Sequence, residues 1–255
     1  MEKEDSLASR AEKRMEYKNL KEQQNLERIT SLAAADLMSK EDVSEEEVDE
    51  DWASRFFNYA KEVSNEDLQN IWSKILAGEV ERPNSFSLRT LEVLRNLSQN
   101  EAKIFAKVAK YAISSNGDDF LFKGKNEFLE KFNIKFRDIV LLQELGLLHP
   151  GNFTSITFKK NPFPSKKNYL IGDIIVFHSR EANSKEQKLP IKLFTRIGSE
   201  FLSLITDKPN FDYIQGMAEY LKEENVSLEY SKIITKNNDE IKYETPLKTF
   251  KSNEN

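Results

Sequence analysis

The chain has 255 residues, 38% of them hydrophobic and 32% charged, with 17 Phe, 8 Tyr, 2 Trp and no cysteine. The missing thiols exclude a disulfide scaffold, a thiolate metal site and a cysteine nucleophile, and no apolar run approaches the ~18 residues of a membrane-spanning helix. The net charge of −5 is unevenly spread: residues 36–51 hold nine acids against Lys40, whereas residues 102–180 hold 13 Lys or Arg against seven acids.

The opening Met1-Glu-Lys-Glu-Asp is not a secretory signal, and with no cysteine it points to a reducing, cytoplasmic location. Residues 1–40 predict a charged helix whose second half carries an apolar stripe, Leu26, Ile29, Ala33 and Leu37. That stripe is a candidate contact for a protein partner or a second copy. An acidic linker, residues 41–51, follows. Residues 52–116 predict four short helices. The first has Trp52, Phe56, Tyr59, Ala60 and Val63 on one face. The second has Leu68, Ile71, Trp72, Ile75 and Leu76 at helical spacing, opened by a capping box at Ser64–Asp67 and closed by Gly78 as a left-handed cap. Pro83 marks a loop, Ser85 or Ser87 starts the third helix, and Ser98–Glu101 boxes the fourth, which Asn116-Gly117 ends. Glu79, Arg82 and Arg89 form a candidate polar ledge for a partner.

The period then changes. Residues 117–206 predict a strand at Phe120–Phe122, short helices over 126–132 and 136–145, and strands at 153–158, 169–177 and 189–194, with a closing helix capped by Thr195. Residues 207–234 add a helix and a strand, and 235–255 read as a polar, unstructured tail. The whole predicts an α+β fold, mainly α: an N-terminal helix, a short-helix bundle and a winged-helix-like half. In such a half, Lys159, Lys160, Lys166 and Lys167 flank Pro162-Phe163-Pro164 as a wing facing phosphates. Lys135 and Arg137 stand at the recognition helix, where Asp138 and Glu144 oppose them.

The block from Trp72 to Ser98, W-x2-ILAGE-x3-P-x3-S-x-RTL, resembles the signature of a bacterial family of uncharacterised proteins catalogued only as a domain of unknown function. Its structural anchors are Trp72, Gly78, Pro83 and Ser87. A looser similarity joins the chain to abortive-infection alpha-type proteins of phage defence. The first resemblance implies a bacterial cytosolic protein and leaves its activity open. Two histidines, His149 and His178, lack metal-ligand spacing, and no phosphate-binding loop or nucleophile elbow occurs. The expectation is therefore a non-enzymatic interaction module with no cofactor, no metal and no small-molecule substrate. Backbone-dominated DNA binding is the alternative, and a phage-defence role is a third.

Overall fold

The computed structural model describes residues 6–40, 42–125, 127–151, 154–205, 208–222, 225–236 and 240–250. They form an α+β fold of two compact units, Met1–Gln99 and Asn100–Asn255. Among the described residues no helix is long and apolar enough to cross a membrane.

Helices α1 (Leu7–Leu37), α2 (Glu50–Ala60), α3 (Glu66–Glu81) and α4 (Leu88–Asn96) make the first unit. Its core is aromatic: Trp52 stacks on Phe56 at 5.2 Å, and Phe56 meets Trp72 edge-on. The Trp52 indole donates to the Phe86 carbonyl at 2.8 Å. The second half of α1 packs on α3 and α2. Buried Asn25 donates to the Lys61 carbonyl and accepts from Gln69, which also donates to the Val63 carbonyl. These bonds satisfy polar groups that burial would otherwise penalise. The stripe expected to face a partner is thus used inside the chain: Ile29 and Ala33 are buried, and Leu26 and Leu37 are half-buried.

Three local expectations change. Helix α2 starts at Glu50, because Asp49 accepts from the Trp52 amide at 2.8 Å and the acids beside it favour the positive helix N-terminus. Asn65, rather than Ser64, caps α3. Gly78 does not end α3, which runs on to Glu81. A β-carbon at Gly78 would lie 2.8 Å from the Phe86 ring, so the glycine lets that ring pack against the helix.

The second unit begins with α5 (Gln99–Ala109), whose Phe105 packs against Phe194 and Phe201. Asn116-Gly117 is not a helix stop. It is the two-residue turn of a hairpin, β1 (Ile113–Ser115) and β2 (Asp118–Phe122), with both residues at positive φ. A short 3-10 turn, Leu129–Phe132, precedes α6 (Phe136–Glu144). Then come β3 (Thr154–Phe158), β4 (Ser165–Ile171), β5 (Ile174–Arg180) and β6 (Gln187–Leu193). Helices α7 (Arg196–Leu202) and α8 (Phe211–Leu221) lead to β7 (Val226–Lys236), β8 (Ile241–Tyr243) and β9 (Lys248–Thr249). The stretch Tyr169–Phe177, expected as one strand, is the turn of the β4–β5 hairpin, with Gly172 at positive φ. Two strands also lie in the tail expected to be unstructured. Residue 153, expected in a strand, lies outside the described residues, as do 126 and 206.

Among the described residues nine strands form one antiparallel sheet in the order β3-β6-β2-β1-β4-β5-β7-β8, with β9 also on β7. The sheet curls strongly, since Phe158 of edge strand β3 lies edge-on to His178 of β5 at 4.7 Å. Its inner face packs on α8: Tyr213, Ile214, Met217 and Leu221 join Phe120, Phe122, Tyr169 and Val176 in one core. The Tyr213 hydroxyl donates to the Phe122 carbonyl. Because β3 pairs with β6 and β4 pairs with β1 and β5, the β3–β4 connection is a crossover and not the hairpin a simple wing requires.

Candidate functional site

The lysine-rich segment owes its shape to one buried side chain. Arg180 ends β5, two residues beyond His178 and therefore on the same face of the sheet. It is 5% exposed. Its Nη1 donates to the Lys159 carbonyl at 3.2 Å, its Nη2 donates to the Lys185 carbonyl, and its guanidinium stands over the Phe158 ring at 5.5 Å. One cation thus joins two loops, 159–164 and 181–186. The Asn183 amide adds a bond to the Asn161 carbonyl at 2.7 Å. On the far side, the Glu181 amide and Ser184 hydroxyl donate to the Asn225 carbonyl.

At the tip, Asn161 Oδ1 accepts from the Phe163 amide at 3.0 Å, and Pro162 and Pro164 restrict the backbone on both sides. Phe163 is 71% exposed. Around it Lys159, Lys160 and Lys185 are exposed. Lys166 is also exposed and is a β4 residue rather than a turn residue, its ammonium 4.3 Å over the Phe177 ring. Lys167 points to the opposite face, half-buried, and approaches Phe158. A groove of about 410 Å³ lined by Pro164, Ser165, Lys166, Ser179, Glu181 and Ser227 opens beside the loops.

Two contributors escape motif reading. Lys185 is distant in sequence from Lys159, and their loops are joined through Arg180 and the Asn183–Asn161 bond. Arg180 itself had one signal: an arginine at the inward-facing position that ends an apolar strand.

His178 lies beneath this assembly, its Nδ1 3.4 Å from the Tyr169 hydroxyl. Burial first, then the Arg180 and Lys167 charges, push its pKa down to about 4. Burial likewise raises the Tyr169 phenol.

The other predicted residues separate into buried and exposed sets. Lys135 and Arg137 are exposed at the start of α6. Asp138, expected to repel phosphates there, is buried. It accepts from Lys107 Nζ at 2.5 Å and from the Lys135 amide at 2.9 Å. Burial raises its pKa, but the Lys107 hydrogen bond, the Lys135 amide and the nearby charges outweigh burial and hold it below the usual carboxylate range. In the first unit, Glu79 is 1% exposed, and its two carboxylate oxygens accept from the Asn84 and Phe86 amides at 2.7 and 2.8 Å. Its task is to hold the turn containing Pro83, so it leaves the expected ledge to the exposed Arg82 and Arg89. Trp72 is buried, and Ser87 caps α4 through the Thr90 amide. Among the described residues no three His, Asp or Glu side chains are grouped to hold a metal.

The depressed His178 pKa predicts a stability effect of definite sign. Between about pH 4 and pH 6.5 the unfolded chain holds the imidazole proton and the folded chain does not. This contribution is present above pH 6.5 and is lost as the pH falls towards 4. The urea midpoint of the protein should therefore drop relative to that of His178→Phe across this window. Parallel midpoints for the two proteins from pH 7 to pH 4 would show that His178 titrates normally in the fold.

No curated protein and no solved structure matches the chain. A family model described as "Protein of unknown function (DUF2806)" matches residues 9–218, from the first turns of α1 into α8. With most of its length so covered, the chain belongs to the DUF2806 family of proteins of unknown function.

Proposed function

We propose that this protein is a non-enzymatic, cytoplasmic binding module of a bacterial cell whose partner is a nucleic-acid backbone, held by the two loops that Arg180 ties together. The observation that carries this reading is the clustering of exposed Lys159, Lys160 and Lys185 around one buried guanidinium, with Lys166 on the adjoining strand. A fixed array of cations displaces counterions from phosphates without first ordering its own loops. The element order also supports it. Helix α5, β2, the 3-10 turn, α6, β3 and β6 follow one another, and β6 lies between β2 and β3. We read this order as winged-helix-like, with the β4–β5 hairpin inserted between the two strands that a wing would join directly. The acidic balance of the chain does not oppose this, because residues 102–180, which hold most of the site's lysines, carry 13 Lys or Arg against seven acids.

Anisotropy of a labelled random-sequence duplex, from low to physiological salt, tests the reading. The logarithm of affinity should fall against the logarithm of salt with a slope of about −3 to −4. Changing Lys159, Lys160, Lys166 and Lys185 together to Ala should weaken binding and flatten that slope. A slope unchanged by the four substitutions would exclude the loops as the site.

A second reading, a protein-interaction module, is favoured by the first half of α1. Leu7, Met15, Tyr17 and Leu20 are 59–77% exposed there, on a helix whose second half is anchored. The face of Ile29 and Ala33 continues at helical spacing through Ala11 and Met15, which suits a second copy of the chain. One flank of that face carries Glu12 and Glu16 and the other Arg14 and Lys18, so two parallel copies would oppose unlike charges. Sedimentation equilibrium should then give a dimer for the full chain and a monomer once residues 7–21 are removed. A monomer in both cases would remove this reading. The phage-defence role rests on the resemblance alone.

A further inference from the structure

The chain has seventeen phenylalanines, and among the described residues the two that are more than 70% exposed share one feature. Phe136, 74% exposed, sits between Lys135 and Arg137. Phe163, 71% exposed, sits between Lys159-Lys160 and Lys166. Exposing a large aromatic side chain to water is unfavourable, and among the described residues the other phenylalanines are all less than 40% exposed. Phe163 is moreover held out by a built support: Arg180 and Asn183 fix the loop base, Asn161 accepts from the Phe163 amide, and a proline stands on each side.

We infer that Phe163 is a stacking platform for an unpaired base, with Phe136 as a second one, so that this protein binds single-stranded nucleic acid in preference to duplex. The inference rests on the backbone-binding reading above and names the form of its ligand. Lysines on both sides of an aromatic ring match a strand in which phosphates alternate with bases, and every base offers a face to stack on. Entry into a duplex would require base pairs to unstack first, whereas a single strand presents its bases free. A lipid surface fits less well. Interfacial binding grows with buried apolar area, and within the loop pair Phe163 is the only exposed large apolar side chain among the described residues. With its backbone restricted by the prolines, the loop also loses little freedom when the ring stacks.

The test compares labelled oligo(dT) with a duplex of equal length at one salt concentration, using the full chain, Phe163→Ala and Phe163→Trp. Oligo(dT) should bind more tightly than duplex. Phe163→Ala should weaken oligo(dT) binding about tenfold while leaving duplex binding unchanged, and Phe163→Trp should restore it. Equal binding of both ligands with no effect of Phe163→Ala would overturn the inference and leave backbone binding intact. No binding of either ligand at low salt would overturn both. Anionic vesicles of phosphatidylserine and phosphatidylcholine form the remaining arm. If the full chain sediments with vesicles through Phe163 and ignores oligo(dT), the ring is a membrane contact and the inference fails.

Discussion

A guanidinium removed from water is costly unless its donors find acceptors, and that constraint organises the most distinctive surface of this protein. Arg180 donates from Nη1 and Nη2 to the carbonyls of Lys159 and Lys185 and rests on the Phe158 ring, its Nε alone finding no acceptor among the described residues. Among the described residues no carboxylate pairs with it. The side chain is held by backbone oxygens of two loops, and those loops are in turn held by it. Breaking such an arrangement on one side leaves a buried charge without compensation. Lys159, Lys160, Lys185 and Phe163 inherit their positions from this exchange, since they belong to segments with no strand pairing of their own, whereas Lys166 is placed by β4. His178, next but one on β5, has its pKa pushed down first by the same burial and then by the Arg180 and Lys167 charges.

The curl of the sheet makes the arrangement possible. Strands β3 and β5 are far apart in the strand order, yet Phe158 and His178 touch. Only a sheet rolled onto α8 brings the end of β3 over the end of β5, and only then can Arg180 reach the loop leaving β3. The aromatic core, with Tyr213 bonded to the Phe122 carbonyl, thus fixes the site at a distance. In the first unit the same economy appears at Glu79. A buried carboxylate satisfies the amides of a tight turn, and Gly78 beside it admits the Phe86 ring.

Helical periodicity was the most legible part of the sequence. The helices of the first unit stand where their apolar stripes place them, because each stripe meets a partner within a short stretch of chain. Ends were less legible. Gly78 has the character of a helix stop, but a close ring contact and not a backbone turn accounts for it. Asn116-Gly117 has the character of a stop too, and serves as a hairpin turn because a strand precedes it. Strand pairing was least legible: Tyr169–Phe177 is dominated by aromatic and branched aliphatic residues, and only the Gly172-Asp173 pair inside it marks the turn between two strands. Of the candidate site, Lys159, Lys160 and Lys166 were readable as a basic cluster. Lys185 and Arg180 were not, since their place depends on a long-range crossover that composition cannot encode. Lys167, adjacent to Lys166, turns to the other face by strand alternation alone.

The two binding readings place the contact on different units, and one experiment separates them. Backbone amide resonances of the full chain, followed during titration with oligo(dT), report which residues meet the ligand. The account predicts shifts concentrated in residues 159–166 and 181–186, with weaker ones at 135–137. Shifts confined to the first half of α1, or none at saturating ligand, would contradict it.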